Sequence, residues 1–336
     1  MENTNNVTEF ILLGLSQNKQ VQQACFLLFL LIYLVIVLGN LLIMVTVQSS
    51  QHLHTPMYFF VSVLSFVDIC YSSAVVPKLI ADLLAKEKTI SFVGRIAQLF
   101  SVHIFGCTEI LILMVMAYVT ICKPLHYTAI MSRRVCHQLV VATRLGGLVH
   151  SMVQTILTIK LTFCGPNEID HYFCDIYPLL KLACSDTHIV GALVVGNTGM
   201  IALGCFLVLV VSYGVILFTL RTQSSEGRQK ALSTFASHIT VVLILFVPCL
   251  FIYVCPSTTL AVDNVFALFY PILMPMLNPI IYSLRNAEMK KCHEEAVEQD
   301  TEAWGAKINW VSSPVLGIFV IIWPFAGILN KDQTCL

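Results

Sequence analysis

Charge is what this chain has least of. Only 11% of its 336 residues are Asp, Glu, Lys or Arg, 57% are hydrophobic, and mean hydropathy is +0.82. An ordinary soluble domain carries about 25% charged residues, so that class is excluded. The 19 basic and 19 acidic side chains cancel. No basic excess remains to favour nucleic acid or a polybasic grip on a membrane surface. A cleavable leader is not expected either, because the first residues are polar and the first apolar run is long enough to be a stable span. No nucleophile-and-base constellation or closed metal-ligand motif occurs, which argues against an enzyme. No internal repeat of the kind that builds paired transporter halves is visible, which argues against a transporter or channel.

What is there is length of apolar sequence. A bilayer core about 30 Å thick needs roughly 20 apolar residues per helix. Seven runs meet that need, at residues 25–47, 57–79, 92–118, 135–158, 191–220, 235–254 and 264–284. The fold class expected is an all-α membrane protein, a seven-transmembrane helix bundle. Residues 1–24 form an extracellular N-terminus, 25–284 the helical domain, and 285–336 an atypical C-terminal tail. That tail carries an eighth apolar segment, "VSSPVLGIFVIIWPFAGIL" at residues 311–329, which Pro314 and Pro324 would kink. Its length alone favours membrane insertion.

Lysine and arginine set the orientation. With the N-terminus outside, Lys123, Arg133, Arg134, Arg221, Arg228, Lys230, Arg285, Lys290 and Lys291 all fall on the cytoplasmic side. The outer side then holds Lys19, Lys86, Lys88, Lys160 and Lys181, a moderate positive-inside bias. The acceptor triplet Asn6-Val7-Thr8 points the same way, since glycosylation occurs only on the luminal side. Most of the thirteen cysteines lie within spans, as small buried hydrophobes. Cys164, Cys174 and Cys184 instead share one long outer loop, where disulfides persist and an odd number leaves one thiol over. His171, Cys174 and Asp175 match no closed zinc spacing.

Polar residues inside spans stand out. Each costs about 2.5–3.5 kcal/mol at a helix centre on insertion scales, so each invites a functional reading. Asp68 lies mid-way along the second run and Glu109 mid-way along the third. Two carboxylates at similar depth can share a hard cation, a sodium ion being the candidate. The alternative is a protonated carboxyl bonded to Ser or Asn neighbours. Asn40, Asn278 and Tyr282 add polar groups, and Pro279 breaks the seventh helix and frees backbone carbonyls. Nearer the outside, His103, Cys107 and Thr108 with Phe246 and Tyr253 mix apolar bulk with a few hydrogen-bonding tips. That mixture suits a small, mostly apolar ligand, although each residue by itself is equally well explained by helix packing.

Several motifs in order carry a resemblance: "VTEFILLGL" at residues 7–15, "GN" at 39–40, "LHTPMYFF" at 53–60, "MAYVTICKPLHY" at 116–127, "KALSTFASH" at 230–238 and "PMLNPIIYSLRN" at 275–286. Together with the three-cysteine loop they resemble olfactory receptors, of the rhodopsin-like G-protein-coupled class, over about residues 1–291. The resemblance implies a plasma-membrane receptor that binds a small-molecule odorant and activates a stimulatory olfactory-type heterotrimeric G protein, raising cyclic AMP. It implies that Asp68 and Glu109 form an internal cation site, and that Asn278, Pro279 and Tyr282 form the activation switch. It places His103, Cys107, Thr108, Phe246 and Tyr253 near the odorant, and Lys123, Arg221, Lys230 and His238 facing the G protein. It leaves Cys164 with Cys184 as a disulfide, while membrane lipid is the remaining partner.

Three departures bear on that mechanism. The family pattern continues after Ala117 and Tyr118 with Asp-Arg-Tyr, and here the triplet is missing. Three residues at about 100° each turn everything after the gap by about 300°, unless the helix ends early. Arg95 in "SFVGR" stands where the family has the cysteine that pairs with Cys174, so that bridge cannot form. Arg144 lies deep in the fourth run, too far in for easy snorkelling, so a buried carboxylate partner or poor insertion is expected. The leading expectation is therefore an odorant receptor with impaired coupling. The alternative is a signalling-dead, receptor-like chain retained in the endoplasmic reticulum.

Overall fold

A computed structural model of the chain describes residues 9–12, 18–50, 53–85, 89–122, 131–161, 168–169, 187–220 and 269–284. The sixth expected span and the tail, with its segment 311–329, lie outside the described residues. The elements run β1 (Glu9–Leu12), α1 (Lys19–Ser49), α2 (Pro56–Leu84), β2 (Thr89–Ser91), α3 (Phe92–Cys122), α4 (Arg133–Ile159), β3 (Glu168–Ile169) and α5 (Thr187–Leu220). A π-helical turn at Phe269–Leu273 then leads into α6 (Met274–Leu284). Helices α1 to α5 are each long and apolar enough to cross a membrane. This is a helical membrane protein. Helices α1 to α5 run past the apolar runs at one or both ends, because backbone hydrogen bonding continues into polar residues that hydropathy does not mark.

Local chemistry explains where they start. The Asn18 side chain accepts from the Gln20 backbone N–H at 2.9 Å. Pro56 opens α2, where its missing N–H would have had no partner. Ser91 accepts from Gly94 N–H at 3.2 Å and Ser132 from Val135 N–H at 3.4 Å, both N-caps.

Packing is inside-out relative to a soluble bundle. On α4 the buried face reads Cys136, Val140, Thr143, Gly147, His150, Ser151, Gln154 and Thr158, mostly small or polar. Its exposed face carries Val141, Leu145, Val149, Met152 and Ile156. Lipid is as apolar as leucine, so large apolar groups gain nothing by turning inward and small ones let backbones approach. At Gly147 any Cβ would run into the Thr108 hydroxyl and lie 2.8 Å from the Ile104 carbonyl oxygen. Helix α3 is central, packed on α2, α4 and α5, while α1 packs on α2 and α6. Ile112, Leu113 and Met116 of α3 are fully buried in the core they share with Phe60 and Leu64.

Proline chemistry attaches α6. Pro271, Pro275 and Pro279 are spaced by four, and a proline offers no N–H to the carbonyl four residues before it. The carbonyl that Pro275 leaves open, on Pro271, accepts from Ser72 Oγ of α2 at 2.8 Å. The carbonyl that Pro279 leaves open, on Pro275, accepts from Asn40 Nδ2 of α1 at 2.9 Å. Buried backbone acceptors demand partners, and here two other helices supply them. Beside this, a Cβ on Gly39 would lie 3.1 Å from Pro279 Cβ, so α1 and α6 touch almost backbone to backbone.

The all-α expectation omitted one feature. A small sheet of order β2-β1-β3 gathers at one end of the bundle, β1 antiparallel to β2 and parallel to β3.

Candidate functional site

Among the described residues, two polar clusters lie inside the bundle. The deeper one joins Asp68 of α2, Glu109 of α3 and Asn278 of α6, respectively 0%, 1% and 1% exposed. Asn278 Nδ2 donates to Asp68 Oδ2 at 2.8 Å. Asp68 Oδ1, Glu109 Oε1 and Asn278 Oδ1 are buried with no hydrogen-bond donor among the described residues. Three orphaned oxygens from three helices suit a hard monovalent cation such as sodium, which takes oxygen ligands without demanding a dedicated nitrogen or sulfur donor. Asn278, read from sequence as a switch residue, is placed by the fold in the carboxylate cluster. Pro279 follows it within α6, and Tyr282 lies on the same helix with its side chain outside the described residues.

The second cluster lies nearer the strand end, on α3, α4 and α5. His103, His150 and Asn197 each fall about ten residues from the strand end of their helix, or about 15 Å at 1.5 Å per residue. The two imidazoles meet edge to face, with centroids 5.5 Å apart. Asn197 Nδ2 lies 3.3 Å from His150 Nδ1, Gln154 Nε2 donates to Thr198 Oγ1 at 2.7 Å, and Ser151 Oγ donates to the Phe100 carbonyl at 2.6 Å. His103 Nε2 is buried without a hydrogen-bond partner among the described residues. Cys107, one turn further along α3, is buried too. Thr108 donates to the Ile104 carbonyl at 2.6 Å and backs onto Gly147, towards α4. Sequence reading named His103 but not His150, Asn197 or Gln154. A lone histidine or amide in an apolar run gives no sign of which neighbour it meets. Phe246 and Tyr253 lie outside the described residues.

The three departures take definite positions. Helix α3 does not end at Tyr118 but continues to Cys122, so the missing triplet leaves an unbroken helix. Tyr118 is 48% exposed and Val119 is buried. From Ile110 to Cys122 that helix has no charged residue. Arg95 is 1% exposed at the strand end of α3. Arg144 lies on the exposed face of α4, its guanidinium carbon 5.9 Å from the centre of the Phe66 ring. The buried carboxylate partner expected for it is not found among the described residues; an aromatic face takes that place. Asn6, Lys123, Cys164, Cys174, Cys184, Arg221, Lys230 and His238 lie outside the described residues.

Comparison with known proteins shows the family of the chain. A sequence profile described as "Olfactory receptor" matches residues 29–300. The chain belongs to the olfactory receptor family. It is 59% identical to Olfactory receptor 4S2 of Homo sapiens over 293 residues, which is 86% of this chain and 94% of that relative. It is 58% identical to Olfactory receptor 4B13 of Mus musculus over 293 residues, 86% of this chain and 96% of that relative. It is 56% identical to Olfactory receptor 4B1 of Homo sapiens over the same length. The resemblance read from the motifs is thus correct. This olfactory receptor chain is a multi-pass membrane protein of a G-protein-coupled receptor family, a family of receptors rather than enzymes.

Proposed function

We propose that the chain is an odorant receptor of the plasma membrane, with seven spans and an extracellular N-terminus, whose output through a stimulatory olfactory-type G protein and cyclic AMP is impaired. The ligand is a small, mostly apolar volatile with one polar atom. His103 supports this reading, because a buried ring nitrogen without a hydrogen-bond partner among the described residues wants one, and it lies in a small polar group on an otherwise apolar bundle. Cys107, Phe246 and Tyr253 shape the rest of the pocket, with Thr108 behind Cys107 against α4. Asp68 and Glu109 hold a sodium ion in the resting arrangement, and Asn278, Pro279 and Tyr282 rearrange on activation. A ligand acts only by binding one arrangement better than the other.

The observation that carries the impairment is the continuous, uncharged end of α3. Lys123, Arg221, Lys230 and His238 still present a G-protein-facing surface, but the acid and arginine that tie it to α3 are missing. Asn6 glycosylation and a Cys164–Cys184 bridge belong to the same reading. A second reading, retention in the endoplasmic reticulum without signalling, is favoured by Arg144 on a face that lipid should cover. The tail segment 311–329 inserts in the membrane in either case.

One experiment separates the readings. An N-terminally tagged chain, with and without Asp-Arg-Tyr restored after Tyr118, is stained on intact cells and assayed for cyclic AMP against an odorant panel. Display with silence until the triplet returns supports the proposal, and intracellular retention of both forms supports the second reading. Odorant responses from the unmodified chain would falsify the impairment. His103→Phe should then shift the responding odorants towards ones lacking a polar atom.

A further inference from the structure

Strand β1 joins two segments that have no other ladder between them among the described residues. Its Glu9, Phe10 and Ile11 pair with Ser91, Ile90 and Thr89 of β2, and its Ile11 and Leu12 pair with Glu168 and Ile169 of β3. Strand β2 runs without a break into α3, with Ser91 capping the first turn through Gly94. Strand β3 belongs to the long loop that holds Cys164, Cys174 and Cys184. These are the two regions that a bridge from position 95 to Cys174 would connect, and position 95 is a buried arginine. Ile90, at the centre of β2, is itself 3% exposed.

We infer that the amino-terminal strand is the tie between the start of α3 and the three-cysteine loop, doing by backbone pairing what the missing covalent bridge cannot. A central strand satisfies the hydrogen-bonding groups of both neighbours at once, so removing it frees two edges. Ladder pairing also fixes register, because a one-residue slip would turn Ile90 out of its buried position. The amino-terminal segment then matters more to this chain than it would to a chain with the bridge. It is a structural component, beyond its role as the carrier of Asn6.

The test is a cycle of variants. Phe10→Pro and Ile11→Pro, each of which removes a backbone donor within β1, are made in the natural chain and in the Arg95→Cys chain, which has a thiol at position 95. Surface display and resistance of the membrane-embedded chain to brief trypsin treatment are read in all forms. The proline variants should lose both signals several-fold in the natural chain and far less in the Arg95→Cys chain, since changes of this kind alter abundance by several-fold. Equal losses in the two backgrounds, or no loss in either, overturn the inference. Should every form stay inside the cell, pairing is read in isolated membranes from Phe10→Cys combined with Ile90→Cys. Phe10→Cys combined with Thr89→Cys is the control, because Phe10 pairs with Ile90 and successive strand positions alternate between the two faces of a sheet. With a protease site placed after residue 17, a disulfide between the thiols introduced at positions 10 and 90 keeps the N-terminal tag attached after cleavage. A tag released equally from both combinations overturns the strand placement and with it the tie.

Discussion

Asp68 and Arg144 are both charged residues in the middle of helices, and their settings are opposite. Asp68 faces inward, accepts a hydrogen bond from Asn278 and shares its cluster with Glu109. Arg144 faces outward among Val141, Leu145 and Val149, with the Phe66 ring beside it. A cation over a ring is worth about 0.5–1 kcal/mol when exposed and about 2 when desolvated, against an insertion penalty of about 2.5–3.5. The inner charge sits among groups that need it. The outer one is left with a deficit. Intramembrane charge is therefore a functional sign only together with the face on which it lies, and sequence depth alone does not give the face.

The largest test of that contrast is Arg144→Trp. It should remove most of the outer penalty of about 2.5–3.5 kcal/mol and raise the fraction of chain correctly inserted by about tenfold or more, measured by protease protection in microsomes. An unchanged fraction would mean that Arg144 has found a satisfying neighbour and that the two charges are not opposites.

Much of this was legible in advance. Apolar length marked the spans, and the motifs identified the family. The pairing of Asp68 with Glu109 followed from their equal depth in neighbouring helices. The Asn278 contact was not visible, because the phase of α6 depends on a π turn that composition does not announce. The proline contacts had a readable signal in the spacing of Pro271, Pro275 and Pro279, but which side chains answer the freed carbonyls depends on α1 and α2 lying alongside. His150 and Asn197 gave no local sign. Strand β1 was read as part of a motif and not as structure, since four residues paired to distant loops carry little pattern of their own.

The next test turns to the inward face of α4, one turn from Arg144. Gly147→Val places bulk against the Thr108 hydroxyl and the Ile104 carbonyl, and should cost about 1–3 kcal/mol of stability, seen as a lowered Tm in detergent. A tolerated valine would show that α3 and α4 are less tightly apposed than the inside-out pattern requires.

Asp68→Ala should leave the Asn278 amide without its acceptor, a loss of about 1–3 kcal/mol. The accompanying readout is cation-specific. The natural chain should melt higher in sodium than in an equal concentration of a bulky organic cation, and the variant should not distinguish them. A difference that persists in the variant would remove Asp68 from the proposed ion site.

The smallest effect is expected from Ser72→Ala, which orphans the Pro271 carbonyl on the inside of the bundle for about 1 kcal/mol. Asn40→Ala orphans the Pro275 carbonyl and also removes the bond from Asn40 Nδ2 to Ile36, so it should exceed Ser72→Ala by a measurable margin in the same melting experiment. The reverse order would show that α2 and not α1 is the main anchor of α6.

The proline seam of α6 has one more consequence. A helix that closes its own hydrogen bonds can slide or turn while its neighbours register only friction between side chains. Here two backbone acceptors of α6 are completed by α1 and α2, so any screw motion of α6 must open bonds on both of those helices in the same step. The seam makes displacement of one rod an event shared by three, and it gives that displacement a threshold instead of a slope.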